Sequence, residues 1–170
     1  MIGSFVRWMW SAPLILGSCA VRPDIQYEVG SKFPDGIAEV IEGRRFSPED
    51  QAAVQEALVF SLLIPTAEGW AKAAMLNLKR TRFYLTVDKA EPKELCLALL
   101  RESGKQARAL EDPWYQAKRN EFRIWIGSFE SVTPSVWQVD WSCGSNNGWV
   151  RIALEENTWT VVGWGDIWLS

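Results

Sequence analysis

The spacing of apolar and polar positions divides the chain into a helical first half and a β-rich second half. Val54, Leu58 and Leu62 recur at helical spacing, with Ala57 and Ser61 between them, as on one face of an α-helix. Ser47-Pro48-Glu49-Asp50 supplies its start: an N-cap hydroxyl, proline at the first helical position, and acids over the first turn, where the helix dipole favours them. Pro65 is expected to end that helix, and the Ala, Met and Leu of 67–78 predict a second one, weakened by Gly69. Residues 81–87 alternate as a half-buried strand, with Phe83, Leu85 and Val87 on one face and Arg82, Tyr84 and Thr86 on the other. A short helix follows Pro92 through Leu95, Leu99 and Glu102, with Gly104 as its stop, and 106–110 reads as a brief strand.

Beyond the loop expected over 112–120, the pattern is β. Phe122, Ile124 and Ile126 alternate with Arg123 and Trp125, and two hairpins follow Pro134. Asn146-Asn147-Gly148 is the expected turn of the first, since Asn and Gly accept positive φ, and Glu155-Glu156-Asn157-Thr158 that of the second. A two-residue loop at Asn146-Asn147 or at Asn147-Gly148 gives the same faces. Trp137, Val139, Trp141 and Cys143 then lie with Val150, Ile152 and Leu154 on the core side, and Gln138, Asp140 and Ser142 lie with Trp149, Arg151 and Ala153 on the other. Continuing the second hairpin without interruption, Leu154 opposes Trp159, Ile152 opposes Val161, and Trp149 meets Trp164 on the polar side. Trp168, at an even spacing from Trp164, joins them unless Gly163 and Gly165 introduce a bulge. A tryptophan pair beside Arg151 suits stacking on a sugar ring or a partner surface, so Trp149, Arg151, Trp164 and Trp168 form a candidate binding surface. A cross-strand stabilising pair is the plainer account of the same residues.

Composition limits the chemistry. The 170 residues fit one domain, and 48% apolar content supports a core without staples. The net charge is −3, with no long basic run, so the linear sequence gives no footprint for nucleic acid. Its densest basic stretch, Lys79-Arg80-Thr81-Arg82, reads as the solvated start of a strand. There is no histidine, which removes the commonest general base and metal ligand. No metal spacing, phosphate-binding glycine loop or nucleophile elbow occurs, so neither metal nor cofactor is expected. Carboxylate-pair chemistry would have to use Asp140 and Glu155, the acids nearest the tryptophan surface, and nothing in their spacing selects them. The chain does not read as an enzyme.

The amino terminus reads as an address. Arg7 precedes an apolar run, and only 14 uncharged residues separate Arg7 from Arg22, too few for the ~20 that span a bilayer. Leu16-Gly17-Ser18-Cys19 resembles the lipobox of bacterial lipoproteins, which implies a signal peptide over 1–18, a lipid on Cys19 and, with Ala20 after it, an outer-membrane destination facing the periplasm. The domain plan is then a signal over 1–18, a tether over 19–46 and one folded unit over 47–170. In that oxidising compartment Cys96 and Cys143 could pair as a disulfide, two buried free thiols being the alternative. If 1–18 is not a signal, a cytoplasmic binding protein is the better reading.

Two further resemblances bear on the fold. Cys143-Gly144, Gly148-Trp149, Trp159-Thr160-Val161-Val162 and Trp168-Leu169-Ser170 are similar to the closing hairpin of a group of bacterial secreted proteins with no established activity. The order of helices followed by a meander resembles the cone-shaped nuclear-transport-factor-2-like fold. The expectation is therefore an α+β domain, with two or three helices on an antiparallel sheet of five or six strands. Its expected role is that of a non-catalytic envelope lipoprotein binding a partner protein or a glycan, touching the membrane through its lipid alone. A small-molecule-binding cone with a cavity lined by Tyr84, Trp125 or Asp140, and a structural or immunity-type protein, are the alternatives.

Overall fold

A computed structural model describes residues 30–111, 116 and 118–167. The expected signal peptide over 1–18, Cys19 and Trp168 lie outside the described residues. Over the described residues the fold is α+β: three helices and an eight-stranded, mostly antiparallel sheet. In chain order the elements are β1 (Ser31–Lys32), α1 (Ile37–Ile41), α2 (Gln51–Ala73), a 3-10 turn (Leu78–Arg80), β2 (Arg82–Val87) and α3 (Glu94–Glu102). The remaining strands are β3 (Arg108–Ala109), β4 (Glu121–Ile126), β5 (Glu130–Thr133), β6 (Val136–Cys143), β7 (Asn146–Glu155) and β8 (Thr158–Ile167).

The sheet order is β1-β8-β7-β6-β4-β2-β3, with β5 paired to β6. It exceeds the expected five or six strands because the two-residue β1 and the fully exposed β5 carry little or no apolar alternation, while β3 falls within the brief strand expected over 106–110. It is also mixed. β2 runs parallel to both β3 and β4, a pairing that requires crossover connections, the first of which α3 makes.

The central helix differs most from expectation. Pro65 does not end it: α2 runs unbroken for 23 residues with Pro65 inside. Proline removes one N–H from the ladder, a local loss that burial on every side outweighs. Val54, Leu58, Val59, Phe60, Leu62, Leu63 and Ile64 are all at most 1% exposed, so the helix is enclosed rather than laid on a surface. The sheet supplies Leu85, Ile124, Ile126, Val139, Trp141, Val150, Ile152 and Val161 to the same core, and α3 supplies Cys96, Leu99 and Leu100. The N-cap position of α2 is Asp50 rather than the expected Ser47, because residues 48–50 form a turn ahead of the helix, which Ser47 closes with its Oγ accepting from the Asp50 N–H at 3.1 Å. Gly104, at φ 79°, closes α3 as expected, with the Lys105 N–H on the Leu100 carbonyl at 2.9 Å.

The described part of the expected tether is folded. Ser31 and Lys32 pair with Val161 and Thr160 on β8, and Phe33 and Ile37 are 4% and 0% exposed. Those two apolar side chains bury more surface than an extended linker could, so the folded unit begins by residue 30 rather than 47.

Candidate functional site

The tryptophan surface depends on hairpin register. The first turn is Gly144-Ser145, with Gly144 at φ 63°, and not the Asn-Asn-Gly stretch, since Cys143 pairs with Asn146. Moving a two-residue turn along the chain changes the register in steps of two, so the faces survive: Val139 opposes Val150, and Asp140 opposes Trp149. The second turn is Glu156-Asn157, both at positive φ, and Leu154 opposes Trp159 and Ile152 opposes Val161 as expected.

A β-bulge then intervenes. The register shifts between Arg151 and Ile152, leaving Val162 as the extra residue, so Arg151 opposes Gly163, Val150 opposes Trp164, and Trp149 opposes Gly165. Trp164 is thereby turned to the core face, its ring 5.4 Å from that of Trp141, which in turn stacks at 6.2 Å on Trp70 of α2. The proposed pair of exposed tryptophans does not form. Trp149 and Arg151 remain together on the outer face. The Arg151 guanidinium lies 5.0 Å from the centre of the Trp149 ring, and its Nε donates to Gln138 Oε1 at 2.7 Å. The indole lies flat over the side-chain-free backbone of β8: a Cβ on Gly163 or Gly165 would come within 2.9 or 2.5 Å of it. Trp149 therefore packs as a cross-strand stabiliser over two glycines.

The other candidates are also settled into the fold. Cys96 and Cys143 are free and buried, so of the two readings left open by the sequence the pair of buried thiols holds and the disulfide does not form. Burial pushes the Cys143 thiol up to about 12, and it raises that of Cys96, with the charge of Glu56 adding to the effect. Glu56 lies inside α2 at 4% exposure; its Oε2 accepts from the Lys93 N–H at 2.9 Å, capping the entry to α3. Burial raises its pKa, and the Lys93 N–H and charge act against that rise. Asp140 and Glu155 are both exposed, on β6 and at the end of β7. Among the described residues no group of three His, Cys, Asp or Glu could hold a metal ion.

The feature that linear reading missed is at the start of the parallel strands. The carboxyl end of α3, the segment joining it to β3 and the entry to β2 enclose an open cleft of about 690 Å³. Lys79, Arg80 and Arg82 line it from one side, and Arg101, Lys105 and Arg108 from the other, over Phe83 and Ala107. A second hollow of about 370 Å³ shares Arg80 and Arg82 and adds Lys118, Arg119 and Glu121 at the start of β4. Arg82 approaches Glu121 at 3.9 Å; Arg80, Arg101, Lys105, Arg108 and Arg119 carry no ion pair among the described residues. Eight of the 18 cations thus gather with one carboxylate, so the two hollows carry +7 and the rest of the −3 chain carries −10. They come from four separate stretches, which is why no basic run announces them.

Comparison with known proteins adds no name to this site: no family matches the chain, and no curated protein or solved structure matches it either.

Proposed function

We propose that this protein is a non-catalytic binding protein of the bacterial envelope, held at the membrane by a lipid on Cys19, and that it engages its partner through the basic end of its sheet. The observation that carries the binding role is the gathering of eight cations around two adjoining hollows on a chain that is otherwise strongly acidic. A charge separation of that size orients an approaching partner and favours an oppositely charged one. The glycan side of the expectation loses its footing, because the stacking platform it needed is split between the two faces of the sheet. The small-molecule cone has little to rest on, since α2 fills the sheet face that would line its cavity.

The envelope address rests on Leu16-Gly17-Ser18-Cys19 and is tested by expression of the full-length chain in a bacterium fed radiolabelled palmitate. Label on the wild type and none on Cys19→Ala supports the anchor, and no label on either overturns it. The contact surface is tested in the same cells with a photo-crosslinking residue at position 105, and at exposed position 45 for comparison. Adducts at 105 that vanish in Arg101→Glu/Arg108→Glu support the basic end. Equal adducts at both positions overturn it.

A further inference from the structure

The basic end also carries information about what it binds, an inference that rests on the binding role proposed above. We infer that its occupant is an acidic polypeptide segment, lying extended across the starts of β3, β2 and β4.

Three features separate this from other anions. First, a built phosphate site normally uses backbone N–H groups and a helix amino terminus. Here α3 presents its carboxyl end: Arg101 sits in its last turn, and the Gly104 and Lys105 N–H groups are spent on the carbonyls of Arg101 and Leu100. The dipole there repels an anion, so attraction comes from side chains alone. Second, the cations are spread rather than focused. The strip crosses three adjacent strands, roughly 10 Å at the usual inter-strand spacing, with further cations on each flank. Several carboxylates in series match that spread better than one compact group does. Third, single-stranded nucleic acid needs aromatic platforms for its bases, and Phe83, the aromatic among the described residues that line the cleft, is 6% exposed. The −10 carried by the rest of the chain opposes the long uniform charge of a duplex, whereas a short acidic segment ends where the basic strip ends. A bilayer surface fits a convex or flat patch, and this one is a groove.

The test uses the full-length chain in detergent and a fluorescein-labelled octaglutamate peptide, read by anisotropy at about 50 mM and about 200 mM salt. The expected result is saturable binding at the lower salt, at least tenfold weaker at the higher. Arg101→Glu/Lys105→Glu should weaken it at least tenfold, while the exposed-charge control Arg45→Glu/Lys89→Glu should change it less than threefold. Circular dichroism establishes that both variants are folded. Pyrophosphate, a 20-nucleotide single-stranded DNA and phosphatidylglycerol vesicles are run alongside. If one of these binds more tightly than the peptide and loses affinity in Arg101→Glu/Lys105→Glu, the basic end is a binding site and the polypeptide assignment is wrong. If no probe binds at the lower salt, or both double variants weaken the peptide equally, the assignment and the binding role of the basic end fall together.

Discussion

Gly165→Ala in β8 is the sharpest test of the bulged register, because its effect depends on which residue faces it. A Cβ there would lie 2.5 Å from Trp149 Nε1 and 2.6 Å from Cε2. Favourable contact begins near 3.5 Å, so the indole has to move by about 1 Å or swing off the strand. Overpacking of that kind costs about 1–3 kcal/mol, and displacing the ring from Arg151 forfeits a cation–π contact worth about 0.5–1 kcal/mol at an exposed site. We expect a net loss of about 2 kcal/mol, which at a urea dependence of about 2 kcal/mol per molar lowers the midpoint by about 1 M. In a Trp149→Ala background the clash is gone. Alanine in a strand is then favoured over glycine by roughly 0.5–1 kcal/mol, so the same substitution should stabilise. The double-mutant cycle should therefore give a coupling of about 2–3 kcal/mol, against about 0.3–0.5 for sites out of contact. A Gly165→Ala cost that is the same in both backgrounds would refute the packing of Trp149 on β8. Strong coupling between Trp149 and Trp164 instead would restore the unbulged register.

Two predictions concern buried ionisable groups. Burial raises the pKa of Glu56, so the folded state holds that proton more tightly than the unfolded chain, and its contribution to stability falls as pH rises from the ordinary carboxyl range through the raised folded value. Glu56→Gln keeps an acceptor for the Lys93 N–H and removes that slope. Urea midpoints should show the variant more stable than wild type at about pH 7 and equal to it at about pH 4; a constant difference between the two pH values would exclude the effect. Cys96 and Cys143, buried and with raised pKa values, should resist Ellman's reagent at about pH 8 in the folded Cys19→Ala chain and both react in concentrated guanidinium chloride. Fast native labelling of either would mean that its side chain is exposed.

Local patterns placed most of the elements, and the failures have particular causes. β2, β4, α3 and the faces of β6 and β7 follow from alternation and caps, which are properties of neighbouring residues. Pro65 misled because helix propensity is local and the packing that overrides it is not. Around it, Ile64 and Ala67 are 1% and 0% exposed, held by partners that lie far away in sequence. The parallel pairing of β2 with β3 and β4 was illegible for a related reason, since alternation does not encode strand direction. Gly163 and Gly165 did carry a signal. They marked β8 as a place for a bulge, and one occurs, with the extra residue at Val162 just ahead of them; the close approach of Trp149 to both glycines was not foreseen.

The site was less legible than the fold, because a one-step slip in register moves every later side chain to the opposite face, and a functional surface made from alternate residues is lost at once. Trp164 is the casualty: the bulge at Val162 carries it from the polar side to a tilted ring contact with Trp141, whose own Nε1 is buried with no hydrogen-bond partner among the described residues. The basic end is the converse case. Arg101 follows from the last turn of α3, where a cation suits the helix dipole, Lys105 from the segment just after it, and Arg80 and Arg82 from the entry to β2. Each has a local explanation as a solvated element end, and sequence offers no reason to add them together. The addition is made by topology, because parallel strands begin at the same edge of the sheet and bring their preceding segments with them. A chain of net −3 can thus assemble a +7 groove without a basic run longer than Lys79-Arg80, and any antiparallel arrangement of β2, β3 and β4 would have divided it.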